Sequence, residues 1–153
     1  MLKSEYASLV REIAKRLDFN DAAPNEENLC VLSFDEMYLS IRFIESSDMI
    51  SLYVNIADVP EGKKAQLCER LLDAQCFFRE TAGATFSICP ELNTVLLHLN
   101  LYAVAVNVET FYNAVQHLLH TAEKFRLEIE QLAQEPAHSE PVSGLEMHHL
   151  IPV

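Results

Sequence analysis

Between residues 29 and 56 the chain alternates apolar and polar side chains, and turn residues break the alternation into three pieces. In the second piece Met37, Leu39, Ile41 and Phe43 share one face while Tyr38, Ser40 and Arg42 share the other; in the third, Ile50, Leu52, Val54 and Ile56 oppose Ser51, Tyr53 and Asn55. Side chains change face at every residue of a strand, so this pattern predicts a three-stranded antiparallel meander. Asp35-Glu36 and Ser46-Ser47-Asp48 supply the breaks, since short polar side chains bond their own backbone in turns. One face is apolar and the other mixed. A half-buried sheet of this kind needs helices over its apolar side.

The flanks supply them. Ser4 is placed to cap a first helix, ending near Asp18, whose Tyr6, Leu9, Val10, Ile13 and Leu17 recur at three and four. Residues 19–28 form a polar connector with Pro24 in which Phe19 is the large apolar side chain. A turn at 58–62 leads into a second helix, expected over 63–79, with Leu67, Leu71, Leu72, Ala74, Cys76 and Phe78 at helical spacing. Phe77 and Phe78 point about 100° apart on such a helix, so its apolar surface is wider than one sheet face needs. Gly83 suits a left-handed position after it. Strand-like runs follow at 84–89, with Phe86 and Ile88, and at 94–101, with Val95, Leu97, Leu99 and Leu101, joined by Pro90-Glu91-Leu92-Asn93. A long third helix, capped by Asn107 and expected over 108–133, repeats Phe111, Val115, Leu118, Ala122, Phe125, Ile129 and Leu132 and would run about 39 Å. Residues 135–153 contain three prolines and a glycine without a sustained period, so they are expected to be a disordered tail after an α+β domain at 1–134. The expected fold is an antiparallel sheet of about five strands packed against helices in the order α-β-β-β-α-β-β-α.

Charge narrows the partners. Against 11 basic residues stand 23 acidic ones, a formal net charge of -12. Nucleic-acid affinity comes largely from neutralising phosphates with Lys and Arg, so a phosphate backbone is disfavoured, and an anionic membrane surface likewise. Cys30, Cys68, Cys76 and Cys89 form no Cys-x-x-Cys pair and read as free thiols of a reducing cytosol. The longest apolar run, 94–106, is short and interrupted by His98 and Asn100, and the first ten residues are too charged for a signal peptide. A cytoplasmic protein with no membrane insertion is expected.

Reactive constellations are sparse. His117, His120 and Glu123 lie on one flank of the third helix, where they read as a polar face before a metal site. No serine or cysteine sits in a nucleophile-elbow frame, and Gly62, Gly83 and Gly144 make no phosphate cradle. Asp35-Glu36 and Glu26-Glu27 read as turn and loop carboxylates. No enzyme, cofactor or metal is expected. An alternative is a small-molecule-binding or regulatory domain, with His98 and Asn100 facing a cavity.

The element order, the segment Val31-Leu32-Ser33-Phe34-Asp35-Glu36, the hairpin from Phe86 through Asn93 to Leu97 and the long amphipathic last helix resemble the class I type III secretion chaperones, the Tir-chaperone-like family. The resemblance spans residues 4–132 and leaves the tail unexplained. It implies a bacterial cytoplasmic homodimer, built through the second helix and second hairpin, that binds an N-terminal segment of a secreted effector and keeps it export-competent without catalysis. The surplus apolar surface of Leu72, Phe77, Phe78 and Leu96 is the expected dimer interface. Leu9, Ile13, Leu17, Phe19, Leu32 and Phe34 are the expected effector-binding residues, beside a sheet edge to which an extended segment can add a strand.

Overall fold

The computed structural model describes residues 1–136; the expected tail lies, from residue 137 on, outside the described residues. Helix α1 (Lys3–Arg16) precedes strands β1 (Leu29–Phe34), β2 (Met37–Ile44) and β3 (Met49–Asp58). Helix α2 (Lys64–Gln75), strands β4 (Thr85–Cys89) and β5 (Thr94–Tyr102), and helix α3 (Val108–Gln134) complete the chain. The strands form one antiparallel five-stranded sheet in the order β1-β2-β3-β5-β4.

Alternation translates into layers as expected. Leu39, Ile41, Ile50, Leu52, Val54, Val95 and Leu97 have no exposed surface, and the stripes of α1 and α3 close over them. Tyr6 of α1 stacks on Phe43 with ring centroids 5.3 Å apart, and its hydroxyl reaches the carbonyls of Asn28 (3.0 Å) and Ile41 (2.9 Å). Burial pushes this phenol's pKa up, so it remains a donor inside the core. From α3, Phe125 meets Phe86 of β4 edge to face at 4.7 Å. Asn107 caps α3 as its sequence suggests, its side chain accepting from the Thr110 N–H at 3.0 Å.

Two helix boundaries differ from expectation. Extended Leu2, not Ser4, precedes α1, and the Glu5 carboxylate accepts the Leu2 N–H at 2.8 Å, which leaves Ser4 within the first turn. Helix α2 stops at Gln75, short of residue 79, and a 3₁₀ turn over Cys76–Phe78 follows. Phe77 and Phe78 have φ of 54° and 53°, the left-handed region. Ala74 is the last fully buried residue of α2, and beyond it the chain turns back towards β4, with Glu80 donating its N–H to Ala74.

Side-chain bridges hold α2 against α3. Arg70 forks onto Glu80 (2.9 and 2.8 Å) and onto Glu128, its guanidinium lies over the Phe125 ring, and Lys124 also pairs with Glu80. Buried Lys63 donates to the Pro136 carbonyl at 3.2 Å, tying the end of α3 to the start of α2. The hydrogen bonds from Arg70, then those from Lys124, hold the Glu80 pKa down at about 2, from an ordinary 4.5. A carboxyl depressed by folding stabilises the native state above its unfolded pKa, and that contribution disappears as pH falls through the folded value. Thermal melting of Glu80→Gln is therefore expected to show a lower midpoint than the parent at neutral pH, with the two curves converging between about pH 4.5 and about pH 2. A constant difference across that range would mean that the network does not carry the effect.

Candidate functional site

Among the described residues, the β1 edge and the end of α2 leave backbone groups or apolar side chains without partners. Asn28 accepts the Phe43 N–H at 3.1 Å, so in the antiparallel register the hydrogen-bonded pairs are Cys30 with Ile41, Leu32 with Leu39 and Phe34 with Met37. Leu29, Val31 and Ser33 must then turn their N–H and C=O groups outward. Asn25 satisfies Leu29, its side chain accepting the Leu29 N–H at 3.0 Å and its own N–H donating to the Leu29 carbonyl at 2.9 Å. Open strand edge remains at Val31 and Ser33, and the Val31 side chain is exposed.

Beside that edge Phe19 of the connector meets Phe34 edge to face at 5.1 Å, both half-buried, with half-buried Leu17 at the end of α1. Leu9, Ile13 and Leu32, also expected there, lie in the core beneath with 8, 0 and 1 % exposure. Of the six, Leu17, Phe19 and Phe34 are thus partly exposed and the other three are buried. Arg126 of α3, bonded to Glu123 (3.0 Å) and Glu36 (3.2 Å) and paired with Glu130, fixes the β1–β2 turn under this surface. The same pair occupies Glu123, while His117 and His120 stay exposed.

The second surface runs from the end of α2 over the uncovered sheet face. Phe77 is 91 % exposed, and Leu72 and Phe78 are exposed beside it. A left-handed non-glycine residue costs about 1–2 kcal/mol, and here two consecutive ones project aromatic rings into solvent. Gln75 anchors this tip to the sheet by accepting the Phe86 N–H at 2.6 Å, which blunts the β4 edge as Asn25 blunts β1. Half-buried Leu96 faces away from the helices, opposite Asn55 on β3 and Ser87 on β4. The face around it contains Tyr38, Ser40 and Arg42 of β2, Ser51 and Tyr53 of β3, His98 and Asn100 of β5, and Thr85 of β4. In a chain of net charge -12, this central stretch has no carboxylate. Asp58 lies beyond the β-bulge between Asn55 and Ala57, at the end of the sheet, where it accepts the Thr94 hydroxyl at 2.9 Å.

Sequence reasoning put Tyr38 on the polar face but gave neither it nor Val31 a part in a site; both are exposed there, an apolar residue at a polar parity being the visible signal. It also missed the connector after β5, where Val104 is 87 % exposed beside a groove of about 610 Å³ that Leu9, Asp48 and Val108 help to line. Among the described residues no helix is long and apolar enough to cross a membrane, and no three His, Cys, Asp or Glu side chains converge as metal ligands.

Sequence comparison with curated proteins returns no match. Among solved structures, a chain of the ExsC-ExsE complex aligns over 84 % of this chain and 96 % of its own, with 21 % identity and a TM-score of 0.70. One from the HopA1-SchA chaperone-effector complex covers 82 % and 95 % at 13 % identity and a TM-score of 0.66. One from the Yersinia pestis type III secretion chaperone SycH in complex with a fragment of YscM2 covers 78 % and 98 % at 16 % identity and 0.60. These likenesses establish the fold. The family model of the Tir chaperone protein (CesT) family matches residues 8–126, most of the described chain, and this protein belongs to that family.

Proposed function

We propose that this protein is a cytoplasmic type III secretion chaperone that binds the N-terminal segment of a secreted effector as a homodimer, keeps it export-competent and catalyses no reaction. The observation that carries this reading is the family match over residues 8–126. Two of the similar structures are a chaperone-effector complex and a type III secretion chaperone bound to a fragment of a second protein. The open β1 edge supports it physically. An extended client segment needs its backbone bonded and its few large side chains sheltered; Val31 and Ser33 offer the first, and Leu17, Phe19 and Phe34 the second. The tip of α2 with Leu72, Phe77 and Phe78, together with Leu96, serves as the dimer contact. The α2 tip and Leu96 lie towards the β5–β4 end of the sheet and β1 is its opposite edge, so a contact confined to that end leaves both client edges open.

Co-purification from a type III-secreting bacterium tests the reading: one protein should be retained, and its isolated N-terminal segment should suffice for binding. A bound metabolite in place of a protein, or retention through a folded client domain only, would overturn it. Val31→Pro sharpens the test. Its N–H points off the sheet, so proline removes no β1–β2 hydrogen bond and is tolerated at such an edge position. The variant is expected to keep its circular dichroism and dimer while losing affinity for the client segment by about tenfold or more, equivalent to at least one good hydrogen-bonded contact. Unchanged affinity would place the client elsewhere than the β1 edge.

A further inference from the structure

His98 stands near the middle of the uncovered sheet face. Its cross-strand neighbours are Tyr53 on β3 and Thr85 on β4, and along β5 it is flanked on the same face by Leu96 and Asn100. The Thr85 hydroxyl lies 3.2 Å from Nε2 and 3.4 Å from Nδ1, a hydrogen-bond partner that accommodates either neutral tautomer. No carboxylate faces the ring from β3, β4 or β5. At the end of the sheet beyond Leu96 lies Asp58, opposite Thr94 and already bonded to its hydroxyl, with Glu36, paired with Arg126, beside it. Among the described strand residues of the face the cation is Arg42, which lies opposite Ser51, diagonal to His98 and a strand further away. Desolvation already pulls the imidazole below its ordinary pKa in a single copy of the chain.

We propose that His98 makes the pairing of two copies pH-sensitive: neutral, it lets the carboxylate-free face close against a second copy, and protonated, it forces the copies apart. The inference rests on the dimer reading above, with Leu96 in the contact, since a residue two positions along the same strand face is sealed with it. Two-fold symmetry doubles the effect, because each copy brings its own imidazolium to a central stretch without a carboxylate among the described residues; Glu36 and Asp58 lie at the end of the face, bonded to Arg126 and Thr94, and Asp73 of the α2 tip is paired with Arg79. A group held neutral by association leaves the dimer intact above its free pKa and weakens it as pH falls below that value. The chain's overall charge works the other way, because a net charge of -12 is progressively neutralised by acid, which relieves repulsion between copies. A dimer that loosens on mild acidification therefore needs a specific cause.

Sedimentation of the full chain at about pH 7.5 and about pH 5.5, with circular dichroism at both, tests this. The parent is expected to dissociate at least about tenfold more readily at the lower pH, the equivalent of one pKa unit, with its fold unchanged. His98→Gln is expected to dimerise equally at both values, and His98→Lys to be monomeric at both while folded. Parallel pH profiles for the parent and His98→Gln, or a His98→Lys dimer as tight as the parent, would overturn the inference while leaving the dimer reading intact. A parent that is monomeric at the higher pH would overturn the dimer reading and this inference together.

Discussion

Phe77→Asp is expected to abolish dimerisation at micromolar concentration while leaving the fold of each copy unchanged. The ring is 91 % exposed, so the isolated chain gains almost nothing from it. Burying a phenylalanine against a partner is worth about 1.5–3 kcal/mol, and a two-fold interface counts it twice. Replacing both rings by carboxylates removes that burial and adds like charges, so dissociation should rise by at least about a hundredfold. Phe77→Gly separates fold from assembly. Glycine accepts the left-handed backbone at φ 54° without a Cβ penalty, so the single chain should melt higher while the dimer weakens. Leu96→Asp tests the other end of the same surface. Light scattering and thermal melting read both quantities, and a Phe77→Asp dimer as tight as the parent would remove the α2 tip from the interface.

Much of this architecture was legible because it depends on period. The alternation of Met37, Leu39, Ile41 and Phe43 survives as a buried strand face, and the three-four spacing from Phe111 to Ile129 as a buried helix stripe. The end of α2 was not legible in the same way. Cys76 and Phe78 continue its helical spacing, yet the chain leaves the helix at Gln75, because the docking of Ala74 and the bond from Phe86 to Gln75 depend on strands encoded later in the sequence. Core and surface were also indistinguishable within one stripe. Leu9, Ile13 and Leu17 share a helix face, but the fold buries the first two and leaves Leu17 at the rim. Which backbone groups of β1 stay open follows from register and from Asn25, neither of which leaves a mark in composition or hydropathy.

The contrast between Ile13 and Phe34 separates a residue that holds the fold from one proposed to meet the client. Ile13 has no exposed surface within the core, so Ile13→Ser both empties a core site and buries a hydroxyl. Such changes cost about 3–5 kcal/mol, a large share of the roughly 5–15 kcal/mol that holds a domain of this size together. The variant is expected to melt far below the parent and to lose client binding only because it loses the fold. Phe34, the last residue of the edge strand β1, is half-buried and packs edge to face with Phe19. Phe34→Ser gives up an aromatic pair worth about 0.5–1.5 kcal/mol and part of a ring's burial, which the core beneath tolerates. Its circular dichroism and dimer should persist while affinity for the client segment falls by about tenfold or more, since the sheltered side chain of the added strand loses its wall. Equal loss of fold and binding in Phe34→Ser would return Phe34 to the core. Intact binding with an intact fold would mean that the client's apolar side chains are sheltered on another part of the chaperone.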